Sequence, residues 1–221
     1  MRSKAGLFAL LVITAFVGSP LGGEPALPYG TELKKRFGYA LRDARWANPQ
    51  IPVCWENLGD STAAQRAVVQ QTLKGSWEKH SKVRFVGWGE CQDNQSGIHV
   101  AVGDETPQAL QLGRYLTGRP AGITLNFTLE KWKANNCNSG KDACIAAIII
   151  HEFGHGLGFS HEQNRADRPD WCKEEPQGAD GDYFVTEYDA NSIMDYCNAN
   201  WAGQGGLSAR DIESVQKVYG A

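Results

Sequence analysis

Two histidines and a glutamate near the middle of the chain have a spacing that suits metal chemistry. His151 and His155 are four residues apart, so on a helix they share one face, about 6 Å apart along the axis, and both imidazoles can bind one metal ion. Glu152 adjoins the first histidine, where its carboxylate can accept a proton from a water molecule at the metal. This spacing also occurs by chance, so these residues alone indicate a metal site only weakly.

A third histidine strengthens the prediction. On a straight helix His161 would be rotated by about 240° from His155 and carried about 9 Å away. Gly158 can take a positive φ and end the helix, so the chain can turn back and bring His161 to the metal. Three neutral imidazoles leave a coordination position open, which is typical of catalytic zinc sites.

Three segments resemble a known family. Residues 151–161 (HEFGHGLGFSH) resemble the H-E-x-x-H-x-x-G-x-x-H signature of the metzincin zinc peptidases. Residues 192–196 (SIMDY) resemble the Met-turn of the astacins, and residues 161–168 (HEQNRADR) are similar to the astacin stretch H-E-x-x-R-x-D-R. The resemblance extends over roughly residues 46–220. It favours astacins over matrixins because tyrosine, not proline, stands two positions after the turn methionine, and over serralysins because Glu162, not proline, follows the third histidine.

The resemblance implies a secreted zinc endopeptidase. One catalytic Zn²⁺ would be bound by His151, His155 and His161, with Glu152 as the general base that takes a proton from the attacking water. Tyr196 would be a fifth ligand at rest and would then donate a hydrogen bond to the oxyanion during catalysis.

The resemblance also implies a class of substrate, and two alternative functions can be weighed against it. Protein or peptide substrates would lie extended along a sheet edge supplied by residues between about 110 and 127. One alternative is a secreted non-catalytic binding or structural protein with a stabilising zinc site, which would have no use for Glu152. A second alternative, a thermolysin-like peptidase, would take its third ligand from a downstream glutamate, and His161 makes that unnecessary.

Two interpretations of Glu162 stay open. In astacins this residue would connect through water to the mature N-terminus. The other interpretation is a structural cluster of ion pairs formed by Glu162, Arg165, Asp167 and Arg168.

The elements that must position these residues can be read from the apolar pattern. Residues 143–157 are nearly all apolar, which predicts a buried central helix. Residues 51–55, 83–88, 98–102 and 123–127 predict strands, and the alternation in 98–102 turns His99 outward. Ser61 or Thr62 caps a helix that runs to about His80. Its predicted inner side consists of Ala64, Ala67, Val68 and Leu73.

A Gly- and Asp-rich stretch follows the central helix, until Ser208 and Asp211 begin a closing helix through Tyr219. Strands and helices first and loops afterwards indicate an α+β fold. With the resemblance, the expected architecture is a metzincin-type two-lobed zinc protease domain. It has a mixed twisted sheet, two long helices above the cleft, and a loop-rich lower lobe ending in a helix.

The N-terminal region predicts export. Arg2 and Lys4 precede an apolar run over residues 7–17, the layout of a signal peptide, assigned to residues 1–23. That run is shorter than the roughly 20 residues a membrane-spanning helix needs. Residues 24–45 would form a short pro-segment or N-terminal arm, and residues 46–221 the catalytic domain. The mature protein is expected to be extracellular or periplasmic, without membrane association.

The six cysteines of an exported chain predict three disulfide bonds, although the sequence alone cannot choose the pairing. Local spacing suggests Cys137 with Cys144, Cys172 with Cys197, and Cys54 with Cys91. No C-x-x-C occurs, which disfavours thiolate zinc binding. A charged fraction of 21% and a net charge of -3 provide no basic stripe, so nucleic acid is excluded as a partner. The oligomeric state is not predicted.

Overall fold

The structure is a computed structural model that describes residues 39–131, 139–201 and 206–221. The predicted signal peptide, residues 1–23, and the predicted arm before residue 39 lie outside the described residues. The end of that arm is folded against the domain, since Leu41 N donates to Gly158 O at 2.9 Å and Ser160 N donates to Tyr39 O at 2.8 Å. The boundary at residue 46 stays a prediction.

The described part of the chain contains seven strands and four α-helices. The strands are β1 (Tyr39–Ala40), β2 (Gln50–Trp55), β3 (Arg84–Glu90), β4 (Ile98–Val102), β5 (Gln108–Ala109), β6 (Ile123–Leu125) and β7 (Tyr183–Phe184). The helices are α1 (Ala63–Gly75), α2 (Trp77–His80), α3 (Lys141–Gly156) and α4 (Ala209–Tyr219). Short 3-10 turns lie at Arg42–Ala44, Leu58–Asp60, Gly113–Leu116 and Glu162–Asn164. The predicted α+β class, the central helix and the closing helix are confirmed.

Five strands form one mixed sheet in the order β3-β2-β4-β6-β5, in which β5 runs antiparallel to β6 and the other pairs are parallel. The edge strand β5 lies just before the range 110–127, in which the sequence placed the substrate-binding edge. The strands β1 and β7 form a separate antiparallel pair. That pair ties the end of the N-terminal arm to the loop-rich lower lobe.

The central helix α3 lies buried on the sheet. Its C-terminal end approaches closely because a Cβ at Gly156 would lie only 3.1 Å from Ile98 Cδ1 and 3.4 Å from Ile123 Cδ1. From α2, Trp77 donates its indole N–H to Ile150 O at 2.9 Å. The last turns of α3, which carry the first two motif histidines, are therefore held between the sheet and a buried tryptophan.

The inner face of α1 differs from the prediction. Thr62 caps the helix in a reciprocal capping box with Gln65, which confirms the predicted start. The buried residues are Val69 and Leu73. Three predicted inner residues are exposed instead: Ala64, Ala67 and Val68. The predicted face was wrong by roughly one residue, or about 100° of rotation, since Trp77 of α2 continues the four-residue spacing of the buried side.

The predicted helix to His80 is also interrupted. The Ser76 hydroxyl donates to Thr72 O at 2.7 Å, and the backbone of Ser76 leaves the helical region with φ -118° and ψ -101°. A serine that bonds back to the preceding turn competes with the helical pattern. The segment therefore forms two helices, and the break turns Trp77 into the core.

The outward placement of His99 was wrong. Its side chain is buried, with Nδ1 2.8 Å from Glu56 Oε1 and Nε2 2.8 Å from Gln95 O. A polar side chain can be buried where partners satisfy both of its ring nitrogens. Those partners come from the end of β2 and the turn before β4, and the alternation within β4 carries no information about them.

Two predicted disulfide bonds are confirmed, Cys54–Cys91 and Cys172–Cys197. Cys144 is disulfide-bonded as well, while its predicted partner Cys137 lies outside the described residues. Within the described ranges, none of the helices has the length and apolar character to cross a membrane.

Candidate active site

The three motif histidines meet at one point. His151 and His155 project side by side from α3, and His161 returns to them after the helix ends. The three Nε2 atoms form a triangle in which every pair is 3.1 Å apart. The sequence predicted that these residues converge, and the structure brings them together.

The return of His161 depends on the backbone at Gly158. Gly158 adopts φ 97°, a left-handed conformation that residues with a Cβ rarely take. Its N–H donates to His155 O at 2.9 Å, and Phe159 N donates to Gly154 O at 3.1 Å, which closes the helix end. The chain then reverses toward the metal-facing side of the helix, as the motif spacing predicted.

A main-chain carbonyl orients each imidazole. The Nδ1 atom of the first histidine lies 2.8 Å from Ile193 O, that of the second 2.8 Å from Phe159 O, and that of the third 2.9 Å from Gln177 O. A carbonyl oxygen can only accept, so each Nδ1 carries the proton in a neutral ring. Every Nε2 therefore presents a bare lone pair to the centre of the triangle.

These three nitrogens fit a zinc ion. Burial lowers the pKa of His151 to about 3 and that of His155 well below its ordinary value, and it also lowers the pKa of His161. Three neutral imidazoles with converging lone pairs are a cation-binding set, and a triangle of this size accepts an ion about 2.0–2.1 Å from each nitrogen. Two other groupings in the described ranges combine one histidine or aspartate with two cysteines, but those sulfur atoms form disulfide bonds.

Glu152 follows the first motif histidine on α3 and is buried. It is only 5% exposed, and its Oε2 has no hydrogen-bond partner among the described residues. Burial raises the pKa of Glu152 to about 8, and a cation at the triangle would lower it again by favouring the carboxylate. A group poised in this range can take up and release a proton near neutral pH.

Tyr196 covers the other side of the triangle. Its ring centroid lies 4.5 Å from that of His161 and 5.6 Å from that of His151. Burial and the charge of Glu152 both raise the pKa of Tyr196, so its hydroxyl remains a hydrogen-bond donor at neutral pH. The main chain is fixed by Gln163, whose Oε1 accepts from Tyr196 N at 3.1 Å.

The turn at residues 192–195 supports the helix from below. Met194 packs against α3 where Gly154 lacks a side chain, since a Cβ there would lie 2.5 Å from Met194 Sδ. The closing helix α4 holds this turn, because Asp211 accepts from Ser192 Oγ at 2.7 Å and from Ile193 N at 3.1 Å. The methionine therefore lies beside the helical turn that carries the first two histidines.

Trp201 contacts the first motif histidine, a contact that the sequence did not reveal. Its indole N–H donates to Ile193 O at 2.6 Å, the same carbonyl that orients His151, and its ring meets that of His151 edge-on at 5.6 Å. Nothing in its spacing from residue 193 indicated a contact with a metal-site histidine.

The segment after the third histidine contains an ion-pair cluster around a buried arginine. Arg165 is fully buried, bonds both carboxylate oxygens of Asp167 at 2.8 Å, and lies 3.2 Å from Glu162 Oε1. Arg168 instead donates to main-chain carbonyls. The predicted ion-pair cluster therefore contains Glu162, Arg165 and Asp167 but not Arg168. The connection of Glu162 to a mature N-terminus stays a prediction.

Known proteins match this chain in sequence. The Astacin family of peptidases matches residues 129–179, which include the three histidines and Glu152. Bone morphogenetic protein 1 of Xenopus laevis is 27% identical over 179 residues, covering 74% of this chain and 22% of its own length. Zinc metalloproteinase dpy-31 of Teladorsagia circumcincta is 28% identical over 193 residues, covering 78% and 27% respectively. Nematocyst expressed protein 6 of Nematostella vectensis is 32% identical over 107 residues, covering 42% and 37%. The chain spans less than half the length of each of these relatives.

Solved structures share the fold. Myroilysin aligns with a TM-score of 0.59 at 21% identity, covering 83% of this chain and 99% of that chain. High choriolytic enzyme 1, a hatching enzyme zinc-protease from Oryzias latipes, aligns with a TM-score of 0.51 at 21% identity, covering 78% and 90%. At this identity the likeness concerns the fold alone. This chain is thus similar to the Astacin peptidase family over the three histidines and Glu152, aligns over 74–78% of its length with relatives that are 27–28% identical, and shares the fold of these two solved structures.

Proposed function

We propose that this chain is an exported zinc-dependent endopeptidase that hydrolyses peptide bonds in protein or peptide substrates. The observation that carries the proposal is the occurrence of two buried features at the end of one helix. Three imidazole Nε2 atoms lie 3.1 Å apart with their lone pairs converging, and a carboxylate oxygen of the neighbouring Glu152 has no partner among the described residues. A purely structural zinc site has no use for such a carboxylate.

The proposed chemistry assigns a role to each group. His151, His155 and His161 would hold the zinc ion, which would supply positive charge that acidifies water and polarises a scissile carbonyl. Glu152 accepts a proton from the attacking water on its free Oε2 and passes it to the leaving amine. Burial keeps the pKa of Glu152 within reach of both transfers.

Tyr196 would stabilise the oxyanion that forms on the carbonyl oxygen. Its ring lies against two of the imidazoles, and its raised pKa keeps the hydroxyl protonated as a donor. This contact would form mainly in the transition state, so it would act on turnover more than on substrate binding.

A substrate segment would lie extended beside β5. This strand ends the five-stranded sheet, and its outer edge has no partner strand in the part of the chain that the structure describes. An extended peptide can add to such an edge through main-chain hydrogen bonds. The proposed contact strand, Gln108–Ala109, lies just before the range inferred from the sequence.

Export is supported by the disulfide bonds. Cys54–Cys91 and Cys172–Cys197 are formed, and such bonds persist in oxidising compartments. With the signal-peptide pattern at residues 1–23, this supports an extracellular or periplasmic location.

The decisive experiment is Glu152→Gln, tested by zinc content and hydrolysis of casein or a fluorogenic peptide. The amide is nearly isosteric but cannot take the proton, so we expect about one zinc per chain, as in the wild type, and a loss of about 10²–10⁴-fold in turnover. The matched control is Glu213→Gln, a surface glutamate paired with Lys217, which should change neither readout.

The outcomes separate the proposal from its rival. Wild-type protein that holds zinc but shows no hydrolysis above the Glu152→Gln background would instead support a binding protein with a structural zinc. Hydrolysis that survives complete zinc removal would exclude a metallopeptidase altogether.

A further inference from the structure

The loop at residues 174–179, called here the carbonyl loop, lies directly against the third motif histidine. Gln177 O accepts from His161 Nδ1 at 2.9 Å, and a Cβ at Gly178 would lie 3.7 Å from the imidazole. All residues of this loop are exposed and none belongs to a helix or strand. Its own side chains therefore do not hold it in place, and its position must come from bonds to its main chain.

Three side chains spaced four residues apart hold that main chain. Ser160 Oγ donates to Ala179 O at 2.5 Å, and Arg168 donates to Glu174 O at 2.5 Å. The third of these side chains is Asn164, which bonds the Gln177 carbonyl that also orients His161. The loop is thus fastened near both ends and, separately, at its point of contact with the metal site.

Asn164 bonds the main chain of Gln177 with both polar atoms of its side-chain amide. Its Nδ2 donates to Gln177 O at 2.7 Å, and its Oδ1 accepts from Gln177 N at 2.9 Å. Its Nδ2 also lies 3.1 Å from Asp180 Oδ1, farther along the chain. One side chain therefore satisfies both main-chain groups of the residue that faces His161, as a paired strand would.

The acceptors of the other two motif histidines have different surroundings, and one of them, Ile193 O, also accepts from the Trp201 indole. The carbonyls that orient them belong to Phe159 and Ile193, both of which are buried. The carbonyl of Gln177 belongs to an exposed loop. The third histidine is thus the one whose acceptor lies on an exposed loop, where the side chain of Asn164 bonds it.

We propose that Asn164 is a positioning residue for the metal site, which fixes the tautomer and ring orientation of His161 by holding the Gln177 carbonyl. An imidazole that donates from Nδ1 keeps its Nε2 lone pair directed at the metal. The inference rests on the proposed function only in that His161 binds the metal ion. Its test reads metal affinity rather than activity.

The test compares Asn164→Ala with Gln177→Ala in the full-length protein. Asn164→Ala removes both hydrogen bonds to the Gln177 main chain. Gln177→Ala removes only an exposed side chain and keeps the N–H and carbonyl that Asn164 bonds. Zinc dissociation constants are measured by competition with a chelator, and the visible spectrum of the Co²⁺-loaded protein reports ligand geometry. We expect zinc affinity to fall about tenfold in Asn164→Ala, within the range of about 10–100-fold for partners of ligating histidines. Gln177→Ala should match the wild type in both readouts.

Two further variants separate positioning from general loosening of the loop. Asn164→Asp keeps an acceptor for Gln177 N but cannot donate to Gln177 O, so its zinc affinity should fall as in Asn164→Ala. Ser160→Ala releases the loop only at Ala179 and should weaken zinc binding less than either Asn164 variant. These two comparisons also stand if Asn164→Ala fails to fold.

Three results would overturn the inference. They are wild-type zinc affinity with an unchanged Co²⁺ spectrum in a folded Asn164→Ala or Asn164→Asp protein, equal losses in Asn164→Ala and Gln177→Ala, or equal losses in Ser160→Ala and Asn164→Asp. A wild-type protein that binds no zinc would overturn the proposed function instead.

Discussion

Adding one methyl group at Gly154 should destabilise the protein, although alanine normally stabilises a helix. Gly154 lies inside α3, where replacing glycine by alanine gains about 1 kcal/mol in helix propensity. The new Cβ would lie 2.5 Å from Met194 Sδ and 3.2 Å from Trp77 Cζ2. Contacts between heavy atoms are optimal near 3.5–4.0 Å, so Met194 must move by about 1 Å.

The net effect follows from the two opposing contributions. Overpacking a filled core costs about 1–3 kcal/mol, and the short contact to Met194 places this site in the upper part of that range. After the gain in propensity, Gly154→Ala should lower the free energy of unfolding by about 1–2 kcal/mol. For a domain of this size that corresponds to a decrease of about 2–8 °C in Tm.

Thermal unfolding of Gly154→Ala beside Gly75→Ala provides the assay. Gly75 is the last residue of α1, and a Cβ there would have no atom within 4 Å, so Gly75→Ala should be neutral or stabilising by up to about 1 kcal/mol. Gly154→Ala should cost less stability in a Met194→Ala background than in the wild type, because the two positions touch. The reasoning is refuted if Gly154→Ala unfolds at or above the wild-type Tm, or if Met194→Ala shows no coupling to it.

Two other variants test the catalytic and electrostatic assignments. Tyr196→Phe removes the donor to the oxyanion but keeps the ring, so kcat should fall about tenfold to a hundredfold with KM little altered, and an unchanged kcat in steady-state kinetics would contradict the role. Burial raises the pKa of Asp211 to about 6, above an unfolded value near 3.9, so this carboxylate costs the fold stability as the pH rises from about 4 to 7. Asp211→Asn removes that pH-dependent cost. The free energy of unfolding of the variant minus that of the wild type should therefore be roughly 3 kcal/mol larger at pH 7 than at pH 4, and an equal difference at the two pH values would refute the assignment.

The features best predicted from sequence are those that depend on residues only a few positions apart. The central helix followed from a nearly continuous apolar run, and the convergence of His161 followed from a glycine three residues after His155. The start of α4 followed from Ser208 and Asp211, which form the expected reciprocal capping box. In each case the residues that determine the geometry lie within a few positions of one another.

The features that were missed depend on partners distant in sequence. His99 is buried because Glu56 follows another strand and bonds it, and Trp201 contacts His151 because both side chains bond the carbonyl of Ile193. The face of α1 was misplaced because Trp77, beyond the helix break, fixes which side is inward. Apolar periodicity within one segment does not encode the position of another segment.

The order in which the strands pair also determines when the chain can complete its fold during synthesis. Val53 pairs with Ile98 and Val100 pairs with Ile123, so parallel strands are joined only after long intervening stretches have been made. The carbonyl that orients His151 belongs to Ile193, 42 residues farther along the chain. At about 5–20 residues per second, the isoleucine-rich helix α3 emerges several seconds before the turn that covers its lower side.

A chain with this order of contacts folds slowly, because distant segments must meet before burial rewards them. During that interval the apolar face of α3 is available to other chains as well as to its own sheet. Refolding from denaturant should therefore be limited by protein concentration, with aggregation competing against the closure of the lower lobe over the helix.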